Sequence, residues 1–439
     1  MNETRKSLKQ LFVPICMETL CFMLVGMIDT LMLSYVSDEA VGAVGTANTY
    51  ISMFVIMFSI ISTGVLAVMT QYIGAGRTGV AYQARQLGLA FNATLGIFLS
   101  IFLFSFAENV LDIIGIAEVL RNPAGEYLRI VGGACILNAL VPVFSGYLRA
   151  FGYTRQPLVA TIVGNVVNLV MNAFFLFVLQ MGVTGVALAT VISRFVNLLI
   201  VAIASHLKIG ANGESERIEN KKILLQIVKV GLPSALETAQ YNIAMTLIIR
   251  FLNQMDTEGV NVIARSYTMQ ITNFSYCVGA ALAQANAIMT GWSLGAKEYE
   301  KCSRDTRKAT FIGIVVAIIM AFMLAVLSPW IMRVFTDDSY MIELVQKLLF
   351  IDIALEIGRV TNLVYGNALK TSGDALFTTA IAFVFMFLCA VGGTYFFGIR
   401  LGLLVIGAYL GMALDECVRA VCMVARWKQE RWKRKSLIA

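Results

Sequence analysis

Residues 11–35 read LFVPICMETLCFMLVGMIDTLMLSY. A helix that crosses the hydrocarbon core of a bilayer needs about 20 mostly apolar residues, and this run exceeds that length. Comparable runs occupy 311–327 and 375–397, and about a dozen can be counted along the chain. Hydrophobic residues make up 58% of the 439 positions and charged residues 14%, with a mean hydropathy of +0.77. A water-soluble fold cannot hide so much apolar surface. The expectation is an all-α polytopic membrane protein of twelve transmembrane helices.

The gaps between the runs set the orientation. Alternate gaps are basic: Arg5/Lys6/Lys9, Arg77/Arg85, Arg149/Arg155, Lys208/Lys221/Lys222, Lys297 to Lys308, Lys370, and the tail from Arg426 to Lys435. The intervening ones are neutral or acidic, with Asp38/Glu39, Asp112/Glu118, Asp256/Glu258 and Asp337/Asp338. By the positive-inside rule both termini face the cytoplasm of a plasma (inner) membrane. The net charge of +7 is spread over these short gaps and makes no basic face, which argues against a nucleic-acid partner. The first run has no small-residue cleavage site before a soluble domain, so it reads as an uncleaved helix.

Several chemistries find no support. Seven of the eight cysteines fall singly inside apolar runs, Cys302 falls in an expected loop, and there is no Cys-x-x-Cys, so free thiols are expected. Gly74-Ala-Gly76 is not followed by Gly-Lys-Ser/Thr, and neither His-Glu-x-x-His nor Gly-x-Ser-x-Gly occurs. No ATP, cofactor or enzymatic activity is implied, and the single histidine, His206, lies in a polar stretch.

That polar stretch, 206–222, divides the chain into near-equal parts, 1–205 and 223–439. Gly74-Ala75 falls on Gly295-Ala296, Leu148-Arg149 on Leu369-Lys370, and Gly152 on Gly373, all with a shift of 221 positions. Pro14 and Pro233 align two positions out of step, and Gly185-Val186-Ala187 aligns with Gly407-Ala408-Tyr409 one position out. Two pseudo-symmetric six-helix lobes follow. An even number of crossings per lobe makes the repeats parallel, with substrate expected between them. Helices are expected at 11–35, 45–73, 86–107, 122–148, 157–180 and 183–205, then at 223–252, 258–291, 304–327, 341–370, 376–396 and 401–425.

An ionisable side chain inside a spanning helix is costly and therefore marks a functional position by default. Asp29 has no Lys or Arg within a turn on its own helix, and removal from water favours its neutral form, which brings proton exchange within reach. Asn165, Asn168 and Asn172 fall near one face of the fifth helix, and Thr190 lies in the sixth. With Asp29 they supply oxygens for a sodium ion or a network that senses protonation; the alternative is simple interhelical bonding. In the second half Glu237 and Gln240, Gln270 and Asn273, and Glu356, Arg359 and Asn362 are the polar sets. Glu356 with Arg359, and Asp415 or Glu416 with Arg419, have the spacing of self-neutralising pairs. Glu237 lacks a cation on its own turn, which marks it as the second-lobe candidate for a substrate or ion. The 21 methionines and 27 phenylalanines read mainly as lipid-facing or core residues, with an adaptable drug pocket as the alternative.

These features together resemble the multidrug and toxic compound extrusion (MATE) transporters over essentially the whole chain. The resemblance rests on Pro14 followed by Asp29-Thr-Leu-Met-Leu, Gln71-Tyr-Ile-Gly-Ala-Gly76, Leu148-Arg-Ala-Phe-Gly152, Gly231-Leu-Pro233 and Leu369-Lys-Thr-Ser-Gly373 in order. It implies a monomeric antiporter that exports cationic or amphipathic compounds by alternating access in exchange for protons or sodium. It also implies coupling at Asp29, Tyr127, Asn168, Asn172 and Thr190, with Pro14 and Pro233 as gating hinges. The family's usual fifth-helix Asp would fall at Asn172, and the missing charge favours protons over sodium. The rivals are a lipid-linked-sugar flippase, expected to have a more cationic cavity than a chain with few buried arginines provides, and a narrow-specificity metabolite exporter. A passive pore or a membrane-embedded enzyme is further from the pattern.

Overall fold

The computed structural model describes residues 6–114, 116, 118–210, 217–256 and 258–438. These are overwhelmingly helical, with no strand among the described residues. The first half contains α1 (Leu8–Ser34), α2 (Asp38–Gly74), α3 (Thr78–Ser105), the short α4 (Ala107–Ile114), α5 (Glu118–Tyr127), α6 (Cys135–Ala150), α7 (Arg155–Ala173) and α8 (Gly182–Ile209). The second contains α9 (Asn220–Met255), α10 (Val260–Gly295), α11 (Tyr299–Met332), α12 (Ser339–Thr371), α13 (Ala375–Phe385) and α14 (Leu404–Lys428). Each of the twelve expected helices is present, and most extend a few residues further at both ends. Cys302, expected in a loop, lies buried in the first turns of α11.

Seven helices are long and apolar enough to cross a membrane, and α5 with α6, bent by 44° where they meet, make an eighth. The remaining four, α9, α10, α12 and α14, are of similar length but interrupt their apolar runs with more polar or charged residues. The chain is a multi-pass membrane protein. Local chemistry explains where the helices begin: Ser37 accepts the amide of Ala40 at 3.1 Å before α2, and Asp338 accepts that of Tyr340 at 2.9 Å before α12.

Proline breaks the hydrogen-bond ladder inside several helices, and side chains repair it. Pro14 leaves the carbonyl of Gln10 without its amide, and the buried Thr154 hydroxyl donates to that oxygen at 3.3 Å. Pro329 does the same to Ala325, whose carbonyl accepts from Ser328 at 2.8 Å and Gln346 at 3.3 Å. In a lipid medium water cannot satisfy such oxygens, so neighbouring hydroxyls and amides must.

The repeat is visible in the backbone. Gly152 and Gly373 both take left-handed φ, 81° and 92°, at the same register, and Lys297 (61°) stands where Gly76 (80°) does. Gln180 and Gly182 correspond to Gly402 and Leu404, again with positive φ. π-helical turns at Phe174–Val178 and Thr394–Arg400 occupy matching places.

Two compact units are formed, Met1–Gly231 and Leu232–Ala439. The division falls inside α9 rather than in the polar stretch 206–222, of which 211–216 lie outside the described residues, as does Arg5 of the first basic cluster. The opening turns of α9 belong to the first unit for identifiable reasons. Gln83 bonds Ile218 through both its amide nitrogen (2.8 Å) and its oxygen (3.1 Å), and also reaches Asn220 at 2.6 Å. Tyr72 meets Gln226 at 3.2 Å. Gly64 of α2 and Gly231 of α9 let backbones touch: a Cβ on Gly231 would lie 1.7 Å from the Ile60 carbonyl oxygen, and one on Gly64 2.1 Å from that of Ile227.

Candidate functional site

The first unit gathers all five of its expected residues. Asp29 of α1 accepts a hydrogen bond at 2.7 Å from Asn172, whose Nδ2 also donates to Asn168 at 3.2 Å. Asn168 and Asn172 are one turn apart on α7 and both are buried. Asn172 stands immediately before the π-helical turn, and its Oδ1 is buried without a partner among the described residues. Tyr127, where α5 widens into the π-helical turn Leu128–Gly132, is buried, donates to Asn48 of α2 at 3.2 Å and adjoins Thr190 of α8. Thr190 also bonds back to Val186 at 2.8 Å. Asn165, on the same face of α7, instead donates to the Cys21 carbonyl at 3.1 Å and serves to join α7 to α1.

Two members of the cluster were not anticipated. Asn48 is an ordinary amide on a long apolar helix. Arg194, one turn beyond Thr190, lies within electrostatic range of Asp29, Tyr127 and Cys135, and its Nη1 is buried without a hydrogen bond. Asp29 therefore has no cation within a turn on its own helix but does have one on α8. The cluster holds a single carboxylate opposed by a guanidinium, and no group of three or more His, Cys, Asp or Glu capable of holding a metal occurs among the described residues.

The second unit encloses a cavity of about 470 Å³. Glu237, Asn273, Arg359 and Asn362 line it; Gln240 and Gln270 do not. Gln270 is exposed, and Gln240 keeps a buried Oε1 without a partner among the described residues. Glu356 is fully buried behind the wall, paired with Arg359 and accepting from Ser275 at 3.1 Å. Arg419 is bound by Asp415 at 2.6 Å and Glu416 at 2.8 Å, and Asn362 donates to Glu416 at 2.9 Å. Both charge pairs expected from spacing are thus present.

The cation that Glu237 lacks on its own turn is supplied by Lys370 of α12, which meets it at 2.9 Å. The repeat explains this contact. Glu18 of α1 binds Arg149 of α6 at 2.6 Å, and these residues stand in the first half where Glu237 and Lys370 stand in the second. In each pair the other oxygen, Glu18 Oε2 or Glu237 Oε2, is buried without a hydrogen bond from the described residues. Glu237 is thus a structural clamp that also lines the cavity.

Few arginines are buried among the described residues, as expected, but the two that are, Arg265 and Arg419, lie together at this cavity. Arg265, Arg359 and Arg419, with Lys370, all face the cavity. Three of these cations, Arg359, Arg419 and Lys370, are each bound by a carboxylate. Asp352 was also missed; it is buried, lines the cavity, and lies one turn before Glu356. Counting Glu237, Asp352, Glu356, Asp415 and Glu416 against four cations, the region is not net cationic.

Comparison with known proteins accords with this architecture. The family model described as MatE matches residues 14–174 and 233–396, most of both halves. The chain is similar to an uncharacterized transporter, YisQ, of Bacillus subtilis, at 29% identity over 98% of this chain and 96% of the other. It is 24% identical to a probable multidrug resistance protein NorM of Thermotoga maritima, over 99% and 95% of the two chains. Among solved structures, a MATE crystal structure in the straight conformation superposes with a TM-score of 0.87 at 20% identity, covering 98% of this chain and 96% of that one. An outward-facing MATE transporter of the MOP superfamily gives 0.86 at the same identity and coverage. The family match spans both repeats, and this chain accordingly belongs to the MatE family of membrane transporters.

Proposed function

We propose that this protein is a proton-driven antiporter that exports cationic or amphipathic organic compounds across the plasma membrane by alternating access. The observation that carries the coupling is the Asp29–Asn172 hydrogen bond, made by the lone carboxylate of a buried cluster. While Asp29 is ionised this bond is charge-assisted and Arg194 is attracted to the same carboxyl; protonation weakens both and loosens α1 from α7 at this level. Two stable arrangements of α1 biased by one proton are what coupling requires. A sodium ion would have to compete with the guanidinium for the single charge, which favours the proton.

Relatives named for multidrug resistance, and a rabbit protein named for multidrug and toxin extrusion, support the cargo class. Both termini in the cytoplasm, a monomeric state and independence of any cofactor belong to the same proposal. The flippase reading draws on four cations at the second-unit cavity, but three of them, Arg359, Arg419 and Lys370, are each bound by a carboxylate, which counts against it.

The test is accumulation of a cationic dye in cells expressing wild type or Asp29→Asn. Export that disappears on collapse of the proton gradient and in Asp29→Asn, but survives replacement of external sodium, supports the proposal. Export that needs sodium instead, or that persists in Asp29→Asn, refutes it.

A further inference from the structure

Three of the four cations facing the second-unit cavity have a carboxylate bound to them; Arg265 does not. It is only 6% exposed. One of its terminal nitrogens donates to the Met245 sulfur at 3.4 Å, and its Nε has no partner among the described residues. A thioether is a weak acceptor, so two of the three guanidinium nitrogens lack a strong partner among the described residues. Tyr409, buried and bonded to Thr268, stands within range of both Arg265 and Asp352. The cavity therefore holds one cation with no carboxylate bound to it and, across Tyr409, one carboxylate that accepts no hydrogen bond from the described residues.

We infer that Arg265 is the residue of the second-unit cavity that receives the carboxylate of a transported zwitterionic compound. The guanidinium presents parallel N–H donors that match a planar carboxylate. Asp352 faces the same space and suits the cationic end of such a molecule. A volume of about 470 Å³ is in the range that encloses drug-sized ligands. Loss of the ligand's charge would leave Arg265 without an anionic partner, so discrimination against the capped form should be strong.

The assignment rests on the export reading for its role in cells, but binding can be measured without transport. Purified full-length protein in detergent is titrated with rhodamine B, whose xanthylium cation carries a free benzoate, and with its ethyl ester, in which that carboxylate is capped. Fluorescence anisotropy reports each affinity. Wild type should hold the acid roughly tenfold more tightly than the ester, the scale of a hydrogen-bonded charge. Arg265→Gln should lose that preference while still binding the ester, and Arg265→Lys, which keeps the charge, should retain part of it.

Equal wild-type affinity for the two dyes, or failure to bind either, overturns the assignment without reference to any variant. If Arg265→Gln weakens acid and ester alike and Arg265→Lys binds both without preference, Arg265 only supports packing and the assignment also falls. Dye export from cells is scored separately: export of the ester without selective binding of the acid leaves the antiporter reading intact and rejects this one. Selective binding without export does the reverse.

Discussion

Replacing Asn172 by Asp puts a second carboxylate where an amide now touches Asp29. The donor lies 2.7 Å from Asp29 Oδ1, and two unit charges at that separation repel by about 6 kcal/mol at an effective dielectric constant near 20. Arg194, in range of the same carboxyl, offsets part of this, so about 3 kcal/mol is a reasonable net cost. For a unit the size of Met1–Gly231 that corresponds to a fall of roughly 6–12 °C in melting temperature. The penalty exists only while both carboxylates are ionised. It should therefore be largest at alkaline pH without sodium, and it should fade on acidification or when sodium fills the gap between the two charges. Melting curves of purified Asn172→Asp and wild type, in sodium and in choline chloride across a pH series, read this directly. Wild type should respond little to sodium. An Asn172→Asp protein whose melting temperature is insensitive to both pH and sodium would show that Asp29 is not poised against residue 172, and the coupling scheme would fail with it.

Three other consequences can be checked by similar means. Thr154→Val should cost about 1 kcal/mol by orphaning the Gln10 carbonyl, and that cost should vanish in a Pro14→Ala background, where the restored amide satisfies the same oxygen; a double-mutant cycle with no coupling refutes the repair. Gly231→Ala should lower melting temperature and yield sharply because its Cβ would meet the Ile60 carbonyl, whereas Gly146→Ala, which has open space, should be silent. At the α9–α10 connection, burial alone would raise the Asp256 carboxyl, but its hydrogen bonds with Asn261, Gly259 and Val260 outweigh that and hold it below the ordinary carboxylate range. Its contribution is therefore present above the unfolded carboxylate value and lost as pH falls through the folded one; hydrogen exchange at Val260 and Asn261 should accelerate on acidification in wild type and be fast at every pH in Asp256→Ala.

The helices and the repeat were legible because hydropathy, glycine and proline act locally, and a lipid medium leaves little choice of secondary structure. The five residues around Asp29 were legible through helical spacing and the family resemblance. Arg194 was not, because a search for a counter-charge along α1 cannot see a cation on α8. The cation of Glu237 was hidden for the same reason: Lys370 is far away in sequence, and only the equivalent Glu18–Arg149 contact reveals the rule. Asp352 was overlooked although it precedes Glu356 by one turn and Arg359 by two, a stripe that the sequence did display. The start of the second unit depended on side chains of α2 and α3 gripping the opening of α9, which no composition boundary records.

The paired Glu18–Arg149 and Glu237–Lys370 contacts also carry a timetable. Arg149 is synthesised 131 residues after Glu18, and Lys370 133 residues after Glu237. At about 5–20 residues per second, each carboxylate waits on the order of ten seconds before its partner leaves the ribosome. During that interval a helix bearing a lone acid has to be sheltered by the insertion machinery or kept protonated. Each half closes its own account of charge before the next begins, so a nascent chain halted between residues 18 and 149 should be recognised as defective, while one halted after the first half should persist.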